Sequence, residues 1–243
     1  PTPALMILMF VASLAAGMIW GIIPAIFKAY FNTNETLFTL MLNYVAMQIV
    51  TFCIVYWENP AGSNTVGIIN SATRAGWLPA LGGLTYGWNV LIVLVFTFGM
   101  YIYMKYSKQG YEVAVVGESQ DTARYARINV KRTIIRTMGI SGGICGVAGF
   151  LLVSGASHTI STSTAGGRGF TAIIVAWLSK FNAFVMILVS FFLVFMEKGA
   201  IQIASQFNLN ENASDVITGI ILFFILGSEF FIRYRIAFTK AHK

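Results

Sequence analysis

Residues 113–136 read VAVVGESQDTARYARINVKRTIIR, and this stretch decides how the rest of the chain divides. It is the longest polar and basic interruption in an otherwise apolar sequence. Lys105, Lys108, Arg124, Arg127, Lys131, Arg132 and Arg136 lie in it or beside it. Bases gathered in a short loop between apolar runs mark the cytoplasmic side of a membrane protein. Of the 243 residues 57% are hydrophobic and 10% charged, and the mean hydropathy is +0.74. Soluble domains carry roughly 25% charged residues, so the composition indicates an all-α polytopic membrane protein. The formal net charge of +7 is then a topology signal rather than a nucleic-acid surface.

Upstream of the loop, residues 4–24 form the first apolar run, long enough to span at about 1.5 Å per residue. Gly17 and Gly21 give it a GxxxG spacing that admits a close neighbouring helix. Pro24 is expected to break or kink the run, leaving 26–30 as a short interfacial continuation. Asn34 is the expected N-cap of the next helix, with Glu35 in its first turn. That helix runs to about Trp57 and holds Asn43 and Gln48 at membrane depth. The connector at about 58–88 is rich in Gly, Asn, Ser and Pro, holds Trp77 and Trp88, and has Arg74 as its only base. Its poverty in bases places it outside, with the Trp residues suited to an interface. Residues 89–104 span back to the basic loop.

Downstream, residues 134–153 cross again, with Gly139, Gly142, Gly143, Gly146 and Gly149 spaced for tight packing. Residues 154–169, SGASHTISTSTAGGRG, are too polar for lipid contact and too few for a folded domain. Non-helical backbone at such a place is tolerated where it lines a cavity or is buried in protein. Residues 170–178 are apolar but too short to span, 182–202 and 216–231 are further runs, and Arg233, Arg235, Lys240 and Lys243 close the chain. If the basic loop and the basic tail share the cytoplasmic side, the chain crosses an even number of times between them. The segment 157–180 must then count as one broken half-helix. The expected architecture is a single transmembrane domain over residues 1–243, with about seven membrane segments and residue 1 outside. The chain opens at Pro1 with neither an initiator Met nor a basic n-region, so an N-terminal truncation is expected rather than a signal peptide.

The sequence holds no GxxxxGK(S/T), HExxH or CxxC motif, and no catalytic site, metal site or bound cofactor is expected. Cys53 and Cys145 fall in apolar runs as packing residues, and neither His158 nor His242 has a second ligand at helical spacing. Intramembrane polar residues are the usual markers of a solute route. Asn43 has two readings, a contact to a permeant solute or an interhelical hydrogen bond. His158, Thr159, Ser161, Thr162, Thr164 and Arg168 are read as lining a route for a neutral hydroxylated solute, against the alternative of a plain outer loop. Glu197 and Lys198 are expected to make a mutual or interhelical charge pair, and Glu229 to pair with Arg233 and Arg235. Within the loop, Ser119 or Asp121 caps a short helix through Ile128, held between two spans by Gly110 and Gly117. Ala123 and Ala126, three apart, give that helix a small-residue face for another protein's cleft, flanked by Arg124, Tyr125 and Arg127.

Four blocks of these residues resemble the permease subunits of bacterial ABC importers for simple sugars and nucleosides, of the ribose-type and basic-membrane-protein-associated branch. They are Phe27-Lys28-Ala29 with Asn34-Glu35 and Thr39-Leu40-Met41-Leu42-Asn43-Tyr44; Val116-Gly117-Glu118-Ser119 with Thr122-Ala123-Arg124-Tyr125-Ala126 and Ile128; Ser141-Gly142-Gly143 through Gly149; and Gly166-Gly167-Arg168-Gly169-Phe170-Thr171-Ala172-Ile173 with Val175-Ala176-Trp177-Leu178. The resemblance implies an ABC importer permease fold of the type II kind, without a catalytic site of its own. It implies a cytoplasmic coupling loop at about 107–133, in which Gly117, Glu118, Ser119, Asp121, Thr122, Ala123, Arg124, Tyr125, Ala126 and Ile128 meet an ATPase. The implied solute path holds Asn43, His158, Thr159, Arg168 and Thr171. Implied partners are an ATP-binding cassette subunit that uses ATP and Mg, a second permease subunit (paralogue or copy), an extracellular substrate-binding lipoprotein and membrane lipid, with no nucleic acid. The implied location is the bacterial plasma membrane, with residues 105–136 and the C-terminus cytoplasmic. Arg127 departs from the family's usual Gly, and Glu118-Ser119 replace a common Asn. Two other classes stand beside this reading, an ion-coupled secondary transporter and a non-transport membrane scaffold. The first would carry intramembrane carboxylates, whereas Glu197, Asp215 and Glu229 are few and lie near segment ends or interfaces.

Overall fold

The computed structural model of the protein describes residues 3–58, 62, 66–80, 82–83, 85–161 and 164–207, with isolated positions between 216 and 228. The chain divides into two compact units, Pro1–Gly166 and Gly167–Lys243. In the first, α1 (Pro3–Phe31), α2 (Glu35–Trp57) and α3 (Gly87–Tyr106) lead to the short helices α4 (Lys108–Glu118) and α5 (Gln120–Tyr125), followed by α6 (Val130–Leu152). Helix α6 runs on into a π turn, Val153–Ser157. The second unit holds α7 (Arg168–Leu178) and α8 (Ala183–Gln206).

Among the described residues five helices are long and apolar enough to cross a membrane: α1, α2, α3, α6 with its π extension, and α8. Their large side chains point outward, as Leu8, Phe52 and Phe191 do at 65, 73 and 74% exposure. Outward apolar surface of this kind is stable only where lipid is the solvent, and the protein is therefore a multi-pass membrane protein. Helix α7, at 11 residues, stays too short to span. The run at 216–231, the tail cations and Glu229 lie largely or wholly outside the described residues.

Helices α1 and α6 form the seam on which the first unit is built. Gly17 and Gly21 of α1 face Gly142 and Gly146 of α6, each at four-residue spacing. A Cβ on Gly21 would come 2.7 Å from Met138 O and 3.0 Å from Gly142 Cα, and one on Gly17 would collide with Gly142 O. Backbone against backbone at this distance maximises dispersion contact in a setting where lipid offers no hydrophobic drive. Gly139 and Gly143 face Ile22 and Met18, whereas Gly149 has nothing within 4 Å. Toward the far end of the seam, Phe10 meets Phe150 edge-on at 5.9 Å and Phe96 at 6.3 Å, over buried Val147 and Leu151.

Pro24 does not break α1, which runs through it to Phe31 with Pro24 and Ala25 buried. Proline removes one backbone donor, and a membrane helix tolerates this when neighbouring packing holds the local geometry. Three asparagines start helices. Asn34 accepts from the Thr36 and Leu37 amides, Asn129 from Arg132, and Asn182 from Phe184 and Val185. Each side chain supplies acceptors for first-turn donors that the helix cannot satisfy itself. Because Asn129 caps α6, that helix begins four residues before the expected Ile134. Lys28 at the end of α1 pairs with Glu35 at the start of α2, at 2.6 Å. In α8, Glu197 and Lys198 do not make the expected charge pair with each other or with any other described residue. Consecutive helical residues point to different faces and cannot meet.

Candidate coupling element and outer polar break

The basic loop is more regular than its composition suggests. Ser107 ends α3 and starts α4: its hydroxyl donates to Tyr103 O at 2.6 Å and accepts from the Gly110 amide at 2.9 Å. Gly110 sits where any Cβ would lie 2.7 Å from Met104 Cα, so the corner can turn this tightly only with glycine. Helix α4 then carries Glu112, which pairs with Arg136 of α6 at 3.1 Å; both side chains are about three-quarters buried, at 23 and 26% exposure.

Ser119 is extended (φ −157°) and separates α4 from α5, and its hydroxyl accepts from the Thr122 amide at 3.3 Å. The cap is therefore Ser119 rather than Asp121. Asp121 instead pairs with Arg124 one turn on, at 3.1 Å on the exposed surface. Helix α5 ends at Tyr125, not at Ile128 as expected. The Arg127 amide donates to Arg124 O at 3.0 Å and the Ile128 amide to Ala123 O at 2.9 Å. These are the two bonds of a Schellman terminus, which requires a left-handed residue after the cap. That residue is Arg127, at φ 58°. The glycine that the family resemblance implies at this position is thereby explained: the backbone is left-handed there, and glycine adopts it without steric cost.

The loop's candidate residues do not share one face. Ala123 is fully buried within the chain, while Ala126 is exposed and Tyr125 is 92% exposed. The expected face made jointly by Ala123 and Ala126 does not exist, because the helix stops between them. Gly117, Glu118, Asp121, Thr122, Arg124, Tyr125 and Ala126 are exposed; Ser119 and Ile128 are half-buried. Asp121, Arg124, Tyr125 and Ala126 are left on the exposed surface of the segment, while Ala123 is buried.

The polar break has its own architecture. Helix α6 widens into the π turn, buries Ser154 and Gly155, and ends at His158 in a left-handed conformation (φ 51°). Residues 66–80 of the connector are stitched onto it: the Ile69 amide donates to His158 O at 2.9 Å and the Leu78 amide to Ser154 O at 3.0 Å. Trp77 stacks on His158 with centroids 3.9 Å apart and donates its indole N–H to Ile69 O at 2.9 Å, while the Arg74 guanidinium lies 5.9 Å from the indole ring. The stack borders a cavity of about 480 Å³. His158 Nδ1 is buried there without a partner among the described residues, and so is Asn89 Oδ1, which lies beside Gly155. Trp77 is thereby half-buried against the protein. Thr159 follows in the same half-buried segment. Asn43 lies exposed on α2, and no interhelical hydrogen bond joins it to any described residue. Arg168 and Thr171 belong to the second unit, in the first turn of α7, exposed and half-buried respectively. Thr162 lies outside the described residues. Sequence reasoning missed the Trp77–His158 stack and the whole of α4; Ser107 ahead of an alternating apolar stretch was the signal for the latter.

Residues 2–226 match the family described as the branched-chain amino acid transport system / permease component. The chain belongs to that permease family. Among curated proteins it is similar to a glucose ABC transporter permease protein of Haloferax volcanii, 27% identical over 97% of this chain and 65% of the relative. A guanosine ABC transporter permease protein of Bacillus subtilis is 28% identical over 91% of the chain and 64% of the relative. A nucleoside ABC transporter permease protein of Lactococcus lactis is 26% identical over 97% of the chain and 67% of the relative. The permease-family chain thus spans about two thirds of the length of these relatives. No solved structure matches it.

Proposed function

We propose that this chain is the transmembrane permease subunit of an ATP-driven ABC importer, forming the path for a nucleoside or simple sugar. The observation that carries the reading is α5: a six-residue helix closed at both ends, buried through Ala123, with Tyr125 92% exposed. A short helix with both ends fixed moves as one body. Its tie to α6 through the Ile128 turn, and α4's tie to α6 through Glu112–Arg136, lead a push on Tyr125 toward a membrane span. The ATPase contact is assigned to Gly117, Glu118, Ser119, Asp121, Thr122, Arg124, Tyr125 and Ala126, with Ala123 and Ile128 passing the motion inward. Asn43, His158, Thr159, Arg168 and Thr171 are assigned to the solute path. The names of the similar proteins, for glucose, guanosine and nucleosides, support a hydroxylated solute.

The reading extends to a type II-like fold of about seven segments in one permease domain, with α7 as the half-helix, the connector at 58–88 outside and the loop at 107–133 inside. The partners are an ATP-binding subunit that uses ATP and Mg, a second permease subunit, and an extracellular substrate-binding lipoprotein. Energy enters only through contacts that differ between the ATP-bound and ATP-free motor.

Vesicles holding the assembled complex should take up guanosine or glucose only with ATP on the motor's side. Tyr125→Ala should lower that uptake about tenfold, the loss of about 1.4 kcal/mol at an aromatic contact, with thermal stability unchanged. Uptake driven by a sodium or proton gradient without ATP would sink the proposal. Unaltered uptake by Tyr125→Ala would remove α5 as the docking element.

A further inference from the structure

Where the end of α1 meets the start of α6, the first unit has a second, partly open cavity, of about 470 Å³. Gln120 and Arg124 of α5 line it, and Tyr125 does not. Its lining is dominated by hydrogen-bond donors: Lys28, Asn32, Gln120, Arg124 and Lys131, with the Tyr30 ring beside them. Two of the three cations already have carboxylates, Lys28 with Glu35 at 2.6 Å and Arg124 with Asp121 at 3.1 Å. Lys131 has none among the described residues; its ammonium rests 4.5 Å from the centroid of Tyr30. The side-chain amides of Asn32 and Gln120 make no hydrogen bond to any described residue. Among the described residues, no acceptor meets the Lys131 ammonium or the Asn32 and Gln120 amides, and the cavity presents these donors with one positive charge that no carboxylate offsets.

We propose that this cavity holds the phosphate of an anionic phospholipid headgroup. A phosphate diester supplies what the site lacks, one negative charge and several acceptor oxygens that three separate donors can share. The position favours a lipid over a soluble phosphate. The cavity opens at the end of an apolar span, where Tyr30 and Phe31 are 61 and 71% exposed and Phe27 stacks on Phe38 at 4.6 Å. Aromatic side chains beside a lysine at a span's end are the usual arrangement at headgroup depth, with the rings against acyl chains and the ammonium against phosphate. Because Gln120 and Arg124 belong to α5, a bound headgroup would bridge α1 and α5. Lipid composition would then set how firmly that short helix is held. The assignment does not depend on which solute, if any, the protein carries.

The test uses the full-length protein, delipidated in detergent and titrated with phosphatidylglycerol or phosphatidylcholine under native mass spectrometry. One phosphatidylglycerol should bind per chain in preference to phosphatidylcholine. Lys131→Gln should weaken it roughly fivefold, from about 1 kcal/mol per cation at a lipid surface, and Gln120→Ala should weaken it as well. Arg132→Gln removes the adjacent cation, which does not line the cavity, and should leave binding unchanged. Equal weakening by Lys131→Gln and Arg132→Gln would replace the site with a diffuse basic surface and overturn the proposal. Loss of phosphatidylglycerol on adding excess inorganic phosphate would make soluble phosphate the ligand and overturn it too, as would the absence of any preference between the two lipids.

Discussion

Replacing Arg127 by glycine should make the coupling segment more stable. Arg127 holds φ 58° so that its own amide and that of Ile128 can close the end of α5. For a residue with a Cβ, this left-handed conformation costs about 1–2 kcal/mol. Glycine removes that cost but loses about 0.5–1 kcal/mol of backbone freedom on ordering. Arg127 makes no ion pair with any described residue, so little else changes. The net expectation is about 0.5–1 kcal/mol in favour of the closed terminus. Hydrogen exchange reads this directly at the Ala126 and Ile128 amides, whose acceptors are Thr122 O and Ala123 O at 3.0 and 2.9 Å. If they exchange by local opening, Arg127→Gly should slow them roughly two- to fivefold after correction for intrinsic rates. Arg127→Ala keeps the Cβ while removing the charge, and should leave them near the parent rates. Arg127→Val, branched at Cβ, should speed them. Equal slowing by Gly and Ala would trace the effect to the guanidinium and refute the backbone argument; no slowing by Gly would show that Arg127 is not strained.

Gly142→Ala places a methyl against the backbone of Gly17 and Gly21 and should cost about 1–3 kcal/mol through overpacking. Melting in detergent should fall, whereas Gly149→Ala, with open space around it, should be neutral; equal effects would mean that helix propensity and not the seam is being measured. Trp77→Leu removes both the His158 stack and the bond to Ile69 O, about 1–2 kcal/mol of local anchoring. Limited proteolysis within residues 66–80 should accelerate, and an unchanged cleavage rate would show that the stack does not hold this segment down.

The spans, their approximate limits and the glycine faces of α1 and α6 were legible because each is a local property: a run of apolar residues or a spacing of small ones. The caps at Asn34 and Ser119 were legible for the same reason, since an N-cap bonds within three residues of itself. Other expectations failed, two on packing beyond the local sequence and one on the divergence of adjacent side chains in a helix. Pro24 lies within an unbroken helix. Ala123 was placed on a partner's face and is buried, and the Glu197–Lys198 pair does not form.

By itself, then, the sequence determined an apolar helical chain interrupted by one basic segment. It also carried the blocks that mark the permease family, because composition and short spacing survive without any fold. Only the tertiary structure decided where α5 stops, since the Schellman bonds need the left-handed Arg127. The same is true of which loop residues remain outside and of the joining of Trp77 to His158 across some eighty residues of chain. A contact of that separation leaves no periodic trace in the sequence; it exists only once the π turn at the end of α6 has aimed the imidazole at the indole.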